Sequence, residues 1–176
     1  PLLWLAGTHG IALEAHQQNG VVELEGGYPA GFRYRDNQGY YFKASHADRL
    51  RRWLPDLSAE SDTICDDAVA DERFGYYLGI NHLLGLIGAL GGTGLVSEHH
   101  LLGDLDQHLT AIAETWASPP PLVDTLRHAE RLRSKANLLT RLHDMDELVG
   151  PLATQSVYAD LINPLVAARG HAERPS

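Results

Sequence analysis

Apolar side chains open the chain at Leu2, Leu3, Leu5, Ile11 and Leu13, interrupted by Gly7 and Gly10. That spacing predicts a helix over residues 2–13 that loosens before Glu14. Val21-Val22-Glu23-Leu24-Glu25 reads as a strand, and Gly26-Gly27-Tyr28-Pro29 supplies the dihedrals of a turn. Phe32-Arg33-Tyr34-Arg35 alternates and reads as the returning strand. Gly39 breaks it, and Tyr40-Tyr41-Phe42-Lys43 predicts a short third strand.

Beyond the third strand the pattern is helical. Ser45 is placed to cap a helix running to about Trp53, ended by Pro55. Residues 56–73 are polar and acidic, with room for one short helix. The most apolar stretch, 74–90, predicts a buried helix stopped by Gly91-Gly92-Thr93-Gly94. Its apolar run from Leu83 to Leu90 falls far short of the roughly 20 residues needed to cross a bilayer. Helices over 98–117 and 121–142 are expected on either side of Pro119-Pro120-Pro121, and a last one from about Ser156 to Ala168. There is no internal repeat and no linker long enough for two domains. The expected fold is α+β and mainly α: a small antiparallel β-hairpin or meander near the N-terminus, then a helical bundle. It should form one domain over residues 1–170, with 171–176 a flexible tail.

The composition narrows the functions open to this fold. With 176 residues, 44% hydrophobic and 21% charged, the chain is of ordinary globular make-up. Fourteen Lys and Arg stand against 23 Asp and Glu, a net charge of −9, which argues against nucleic acid and anionic membranes as partners. An anionic ligand must be met by a local cluster of cations. Cys65 is the sole cysteine, which excludes an intrachain disulfide framework, an all-cysteine zinc site and an iron–sulfur centre. The default compartment is the reducing cytoplasm. The first residue is Pro1 and the sole methionine is Met145, so the expectation is a C-terminal piece of a longer protein.

The densest chemistry lies in Gly10-Ile11-Ala12-Leu13-Glu14-Ala15-His16-Gln17-Gln18-Asn19. It precedes one strand, and Arg35-Asp36 ends the next. Antiparallel pairing returns Asp36 towards Gln18. Glu14, His16 and Gln18 share a face if the backbone is extended; Glu14 and Gln18 share one if it is helical. Either way two carboxylates and an amide oxygen converge, and these are hard ligands suited to Mg²⁺ held against phosphates. The same run also fits a plain polar loop ahead of a strand.

That segment, with Arg35-Asp36 and Gly39, resembles the C-terminal region of the NRPS-independent siderophore synthetases of the aerobactin-synthetase type. The likeness continues in Asn81-His82-Leu83, in Lys135-Ala136-Asn137-Leu138-Leu139-Thr140-Arg141 and in Asn163-Pro164-Leu165, so it covers nearly the whole chain. The resemblance implies a fold of thumb, fingers and palm, of which this chain is similar to the palm. It implies an ATP-dependent ligase that adenylates a carboxylate of citrate or a related acid. The acid is then condensed with an amine, a hydroxylamine or an alcohol.

By the same resemblance Glu14, Gln18 and Asp36 hold Mg²⁺ and the phosphates of ATP, with His16 also at the nucleotide. His16 lies at the substrate carboxylate, and Lys135, Arg73 and Arg141 are cations of the substrate pocket. His16 and Lys135 are the implied catalytic residues. As isolated residues, Lys135 and Arg141 also fit a solvated helix face and Arg73 a surface loop. The family's nucleotide site draws further residues from upstream fingers and thumb, so this piece alone is expected to bind ATP weakly and to be inactive. A homodimer is compatible with the resemblance. The region is also grouped with FhuF-like ferric reductases, whose iron–sulfur chemistry Cys65 alone does not provide.

Other motifs carry less. Gly91-Gly92-Thr93-Gly94 lacks the Gly-Lys-Ser/Thr ending of a phosphate loop. His99-His100 and His108 are too far apart for one ion. Ser45-His46 lacks a third group to orient it as a hydrolase. Two rival functions remain: a kinase-like phosphotransferase sharing the metal hairpin, and a non-catalytic module that binds a siderophore or a partner.

Overall fold

In the computed structural model, which describes residues 1–36, 38–61, 63–142 and 157–172, Ile11–Leu13 is a strand, β1, and not the end of the first helix. Helix α1 (Leu2–Trp4) widens into a π turn over Leu5–His9 and stops at Gly10. Gly10 has a left-handed φ of 67°, and a Cβ there would meet the His46 ring at 2.5 Å. Glycine is therefore required both to end the helix and to turn the chain into β1.

Strands β2 (Gly20–Glu25) and β3 (Tyr28–Tyr34) form the expected hairpin. The turn is confined to Gly26 and Gly27, at φ 59° and 87°, so Tyr28-Pro29 belongs to the strand. The register runs from Gly20↔Tyr34 to Glu25↔Tyr28, with an irregularity after Glu23. Strand β4 (Tyr40–Lys43) does not extend this hairpin into a meander. It pairs antiparallel with β1, placing Ala12 opposite Tyr41, and parallel with β5 (Ile64–Cys65).

A turn at Ala44–His46 leads into α2 (Ala47–Arg51). Helix α3 (Asp67–Phe74) packs on β1 and β4. Buried Ala12, Ala15, Ala47 and Ala70 keep the backbones close, and Phe74 fills the space beside them. Lys43 on β4 is buried and meets Asp71 on α3 at 2.6 Å. The helix continues without a break as a π segment, Gly75–Leu84, and then as α4 (Gly85–Gly92). Gly94, at φ 71°, belongs to the glycine-rich turn that follows α4. Residues 1–86 with 118–120 make one compact unit.

The second unit comprises 87–117 and 121–176. Helix α5 (Glu98–Thr115) starts at Ser97, whose hydroxyl accepts from the His100 N–H at 3.4 Å. It packs with α6 (Pro121–His128) and α8 (Pro164–Ala172) around Leu102, Leu109, Leu126 and Leu165. Two expected helices are corrected here. Residues 131–135 form strand β6 (Arg131–Lys135), followed by α7 (Asn137–Leu142), and 158–162 form strand β7 (Tyr158–Ile162). The two strands pair antiparallel from Arg131↔Ile162 to Lys135↔Tyr158, and the inward residues of β6 are Leu132 and Ser134.

Asn163 is 0% exposed. Its Nδ2 donates to the Leu126 and Ala129 carbonyls at 2.9 and 2.8 Å, and its Oδ1 accepts from the Leu165 N–H at 3.0 Å. It thus closes the end of α6 and opens α8. The expected helix start at Ser156 and residues 173–176 of the expected tail lie outside the described residues.

Candidate functional site

The candidate site is built at the root of the β2–β3 hairpin, within the first unit. After β1 the chain leaves the sheet in tight turns: Ala15 N–H donates to the Leu13 carbonyl, His16 N–H to Glu14, and Asn19 N–H to His16. Residues 14–19 are therefore neither extended nor helical. Glu14 keeps one sheet-like bond, its N–H to the Gly39 carbonyl at 2.8 Å. Across the hairpin root, the Arg35 N–H donates to the Asn19 carbonyl at 3.2 Å, which returns Asp36 to the start of β2 as the topology predicted.

Glu14 and Asp36 converge on Gly39. A Cβ at Gly39 would lie 2.6 Å from Asp36 Oδ2, 3.0 Å from Glu14 Cβ and 3.0 Å from the Tyr34 hydroxyl. Asn19, 7% exposed, ties the two acidic segments together. Its Nδ2 donates to the Glu14 carbonyl at 3.1 Å and to Asp36 Oδ2 at 2.9 Å. Asp36 Oδ1 accepts from the Gln38 N–H at 2.9 Å.

Three tyrosines line the acids. Tyr34 donates to the Gly39 carbonyl at 2.6 Å. Burial, then the Asp36 and Glu14 charges, push its phenol up to about 12. The Tyr41 hydroxyl donates to Glu14 Oε1, and the Tyr77 hydroxyl also bonds the Glu14 carboxylate. Burial and then Glu14 raise both phenols above their ordinary range, so both stay protonated donors. These tyrosines and Asn19 were not singled out as site residues from the sequence. Asn19 lies inside the motif, but its amide gives no sign of which acids it will bridge.

The π segment is fastened to the 15–17 loop at several points. His82 Nδ1 lies 2.8 Å from the Ala15 carbonyl, Gln17 Nε2 donates to the Asn81 carbonyl at 3.2 Å, and the His16 and Tyr77 rings are 5.6 Å apart. His16 is half-buried on this loop, while Gln18 is exposed in the turn, its carbonyl accepting from Arg35 Nε at 2.9 Å. Arg73 is 2% exposed, and its charge acts on Tyr41, Tyr77 and Cys65. It is not the surface-loop arginine that its polar neighbours suggest. Lys135 ends β6, half-buried, and Arg141 is exposed on α7; both belong to the second unit.

Asp67 accepts from the Ser45 N–H at 3.1 Å and from the Ser45 hydroxyl at 2.5 Å, and Ser45 Oγ is 2.9 Å from His46 Nδ1. The carboxylate holds the serine rather than the histidine, so the hydrolase order does not form. Among the described residues no three His, Cys, Asp or Glu side chains group as a metal site, and no helix is long and apolar enough to cross a membrane.

Residues 1–150 match the model of the family described as "Ferric iron reductase FhuF-like transporter". The chain belongs to the FhuF-like family. It is similar to siderophore synthetases of the NRPS-independent type. It is 43% identical to spermidine-citrate ligase of Bacillus anthracis over 94% of its length, covering 27% of that protein. It is 47% identical to the rhizobactin siderophore biosynthesis protein RhbC of Rhizobium meliloti, covering 94% of this chain and 28% of RhbC.

Among solved structures, aerobactin synthetase IucA of Klebsiella pneumoniae superposes with a TM-score of 0.76 at 27% identity, over 94% of this chain and 28% of IucA. IucA has also been solved bound to ATP. This FhuF-like chain thus spans little more than a quarter of the length of the relatives it matches.

Proposed function

We propose that this chain is the palm-like C-terminal part of an ATP-dependent siderophore synthetase acting on citrate or a related acid. The observation that carries the reading is the convergence of Glu14 and Asp36, from separate elements, on Gly39. The relatives named for citrate ligation and aerobactin synthesis support the reaction class. In that reaction a carboxylate oxygen of the acid attacks the α-phosphorus of ATP and pyrophosphate leaves. An amine, hydroxylamine or alcohol then attacks the acyl carbon, loses its proton to a base, and AMP leaves.

The donor types fit a hard cation: Asp36 Oδ2 and the Glu14 side chain both approach Gly39, and Gln18 stands in the adjoining turn. Glu14, Asp36 and Gln18 would hold Mg²⁺. When bound, the ion neutralises phosphate charge that would otherwise repel the incoming carboxylate. His16, beside Glu14, is assigned to the nucleotide and to the substrate carboxylate. Lys135 and Arg141 are assigned to the remaining carboxylates of the acid, for which an acidic protein needs local cations. Arg73, whose charge acts on Tyr41 and Tyr77, is assigned as a further cation of the substrate pocket. The remaining phosphate contacts are assigned to the upstream fingers and thumb of the longer enzyme, and the reaction to the cytoplasm.

The test is citrate-dependent release of AMP and pyrophosphate by the full-length enzyme. Asp36→Asn nearly preserves shape but removes one of the two charges, and it should abolish that release. Formation of ADP by the wild type would instead support a phosphotransferase.

A further inference from the structure

We propose that Tyr41 and Tyr77 are positioning residues whose phenol hydroxyls fix the Glu14 carboxylate for divalent-cation binding. This rests on the reading of Glu14 as a metal ligand given above. The two hydroxyls reach one carboxylate from two independent elements.

Tyr41 arrives through strand register. It stands opposite Ala12, and Glu14 follows directly after the end of β1, its N–H still bonded to the Gly39 carbonyl at 2.8 Å. From that register the Tyr41 hydroxyl reaches Glu14 Oε1 just past the strand end. Tyr40 stands opposite Leu13 on the other face, its ring 5.3 Å from that of Phe42.

Tyr77 arrives through the π segment. Its i→i+5 bonding brings residues five apart into successive turns. Tyr77 and His82 can then both face the 14–17 loop, where His82 Nδ1 meets the Ala15 carbonyl and the Tyr77 ring meets His16.

An ionised carboxylate has about four lone-pair positions. Two phenol donors restrict its rotation and leave the rest for a cation. The restraint matters because Asp36, a like charge, stands across Gly39. Without the tyrosines Glu14 would relax away from Asp36, and a bound cation would have to pull the two acids back together.

The experiment uses the full-length protein and Mn²⁺ as the probe, with affinity read by electron paramagnetic resonance. Partners of this kind are worth roughly 10- to 100-fold in metal affinity. Tyr41→Phe with Tyr77→Phe should weaken Mn²⁺ binding about that much, and each single variant should account for part of the loss. The citrate KM should move far less than the metal affinity, which a general packing defect would not produce. Tyr40→Phe should bind Mn²⁺ as the wild type does.

A check that needs no tyrosine variant is the absorbance of the wild-type protein. Saturating Mn²⁺ should perturb the tyrosine bands, and Glu14→Gln should remove the perturbation. Unchanged Mn²⁺ affinity in the double variant, or no tyrosine perturbation in the wild type, would overturn the proposal. Unchanged affinity in Glu14→Gln would overturn the metal-ligand reading and this inference with it. Absence of citrate-dependent AMP formation by the wild type would sink the synthetase reading alone and leave the Mn²⁺ result standing.

Discussion

Asn19 donates from Nδ2 to Asp36 Oδ2 at 2.9 Å, and the same nitrogen reaches the Glu14 carbonyl at 3.1 Å. One buried amide therefore sets the distance between the segments that carry the two acids. Asn19→Ala leaves a carbonyl and a carboxylate oxygen short of a donor in a part-buried place, at a cost of about 1–3 kcal/mol. Thermal unfolding should report that loss. Citrate-dependent ATP turnover should fall further than stability does, because Asp36 loses its tether.

Gly39→Ala tests the convergence sterically. The added methyl would stand 2.6 Å from Asp36 Oδ2 and 3.0 Å from Glu14 Cβ. Asp36 can swing aside, but Glu14 Cβ is held by the Glu14 N–H bond to the Gly39 carbonyl. The expected cost is about 1–3 kcal/mol of stability, with Mn²⁺ affinity reduced in the same protein. A stable variant with unchanged Mn²⁺ affinity would show that the acids do not share a cation at this point.

The Lys43–Asp71 pair locks β4 to α3 beneath the site. Asp71→Asn leaves a buried ammonium without its counter-charge. Breaking a buried pair costs about 3–5 kcal/mol, and partial exposure of Asp71 places the expected loss near about 3 kcal/mol. Denaturant unfolding measures it. Replacing both partners, as Lys43→Met with Asp71→Leu, should recover much of the loss.

The sequence made the hairpin legible because Gly26-Gly27 between alternating runs has few other readings, and the return of Asp36 followed from antiparallel pairing alone. Strand β1 was not legible. Ile11-Ala12-Leu13 is a short apolar run that periodicity cannot assign, and what makes it a strand is pairing with β4, about 30 residues away. Strands β6 and β7 were hidden in the same way. Arg131-Leu132-Arg133-Ser134-Lys135 is rich in helix formers, and its two-residue alternation emerges only when Leu161 and Ala159 stand opposite Leu132 and Ser134. Glu14 and Asp36 stood out as charged residues in a recognisable motif. Tyr41 and Tyr77 read as strand and core aromatics, because the carboxylate they serve is distant in sequence.

Lys135→Ala in the full-length enzyme separates the acid pocket from the nucleotide site. Loss of one charge-assisted contact is worth about 1.5–3 kcal/mol, or roughly 10- to 150-fold in apparent affinity. The citrate KM should rise by that factor while the ATP KM changes much less. Steady-state kinetics at varied citrate and varied ATP reads both. Equal rises in the two would withdraw the pocket assignment.

The most direct test of the central claim follows an oxygen atom. Attack of a citrate carboxylate on the α-phosphorus transfers one carboxylate oxygen to AMP when the nucleophile displaces it. Full-length enzyme supplied with ¹⁸O-carboxylate citrate, ATP and the acceptor should therefore release AMP carrying one ¹⁸O, read by mass spectrometry, and Asp36→Asn should release none. Label recovered in inorganic phosphate together with ADP would contradict the adenylating reading and point to transfer of the γ-phosphoryl group.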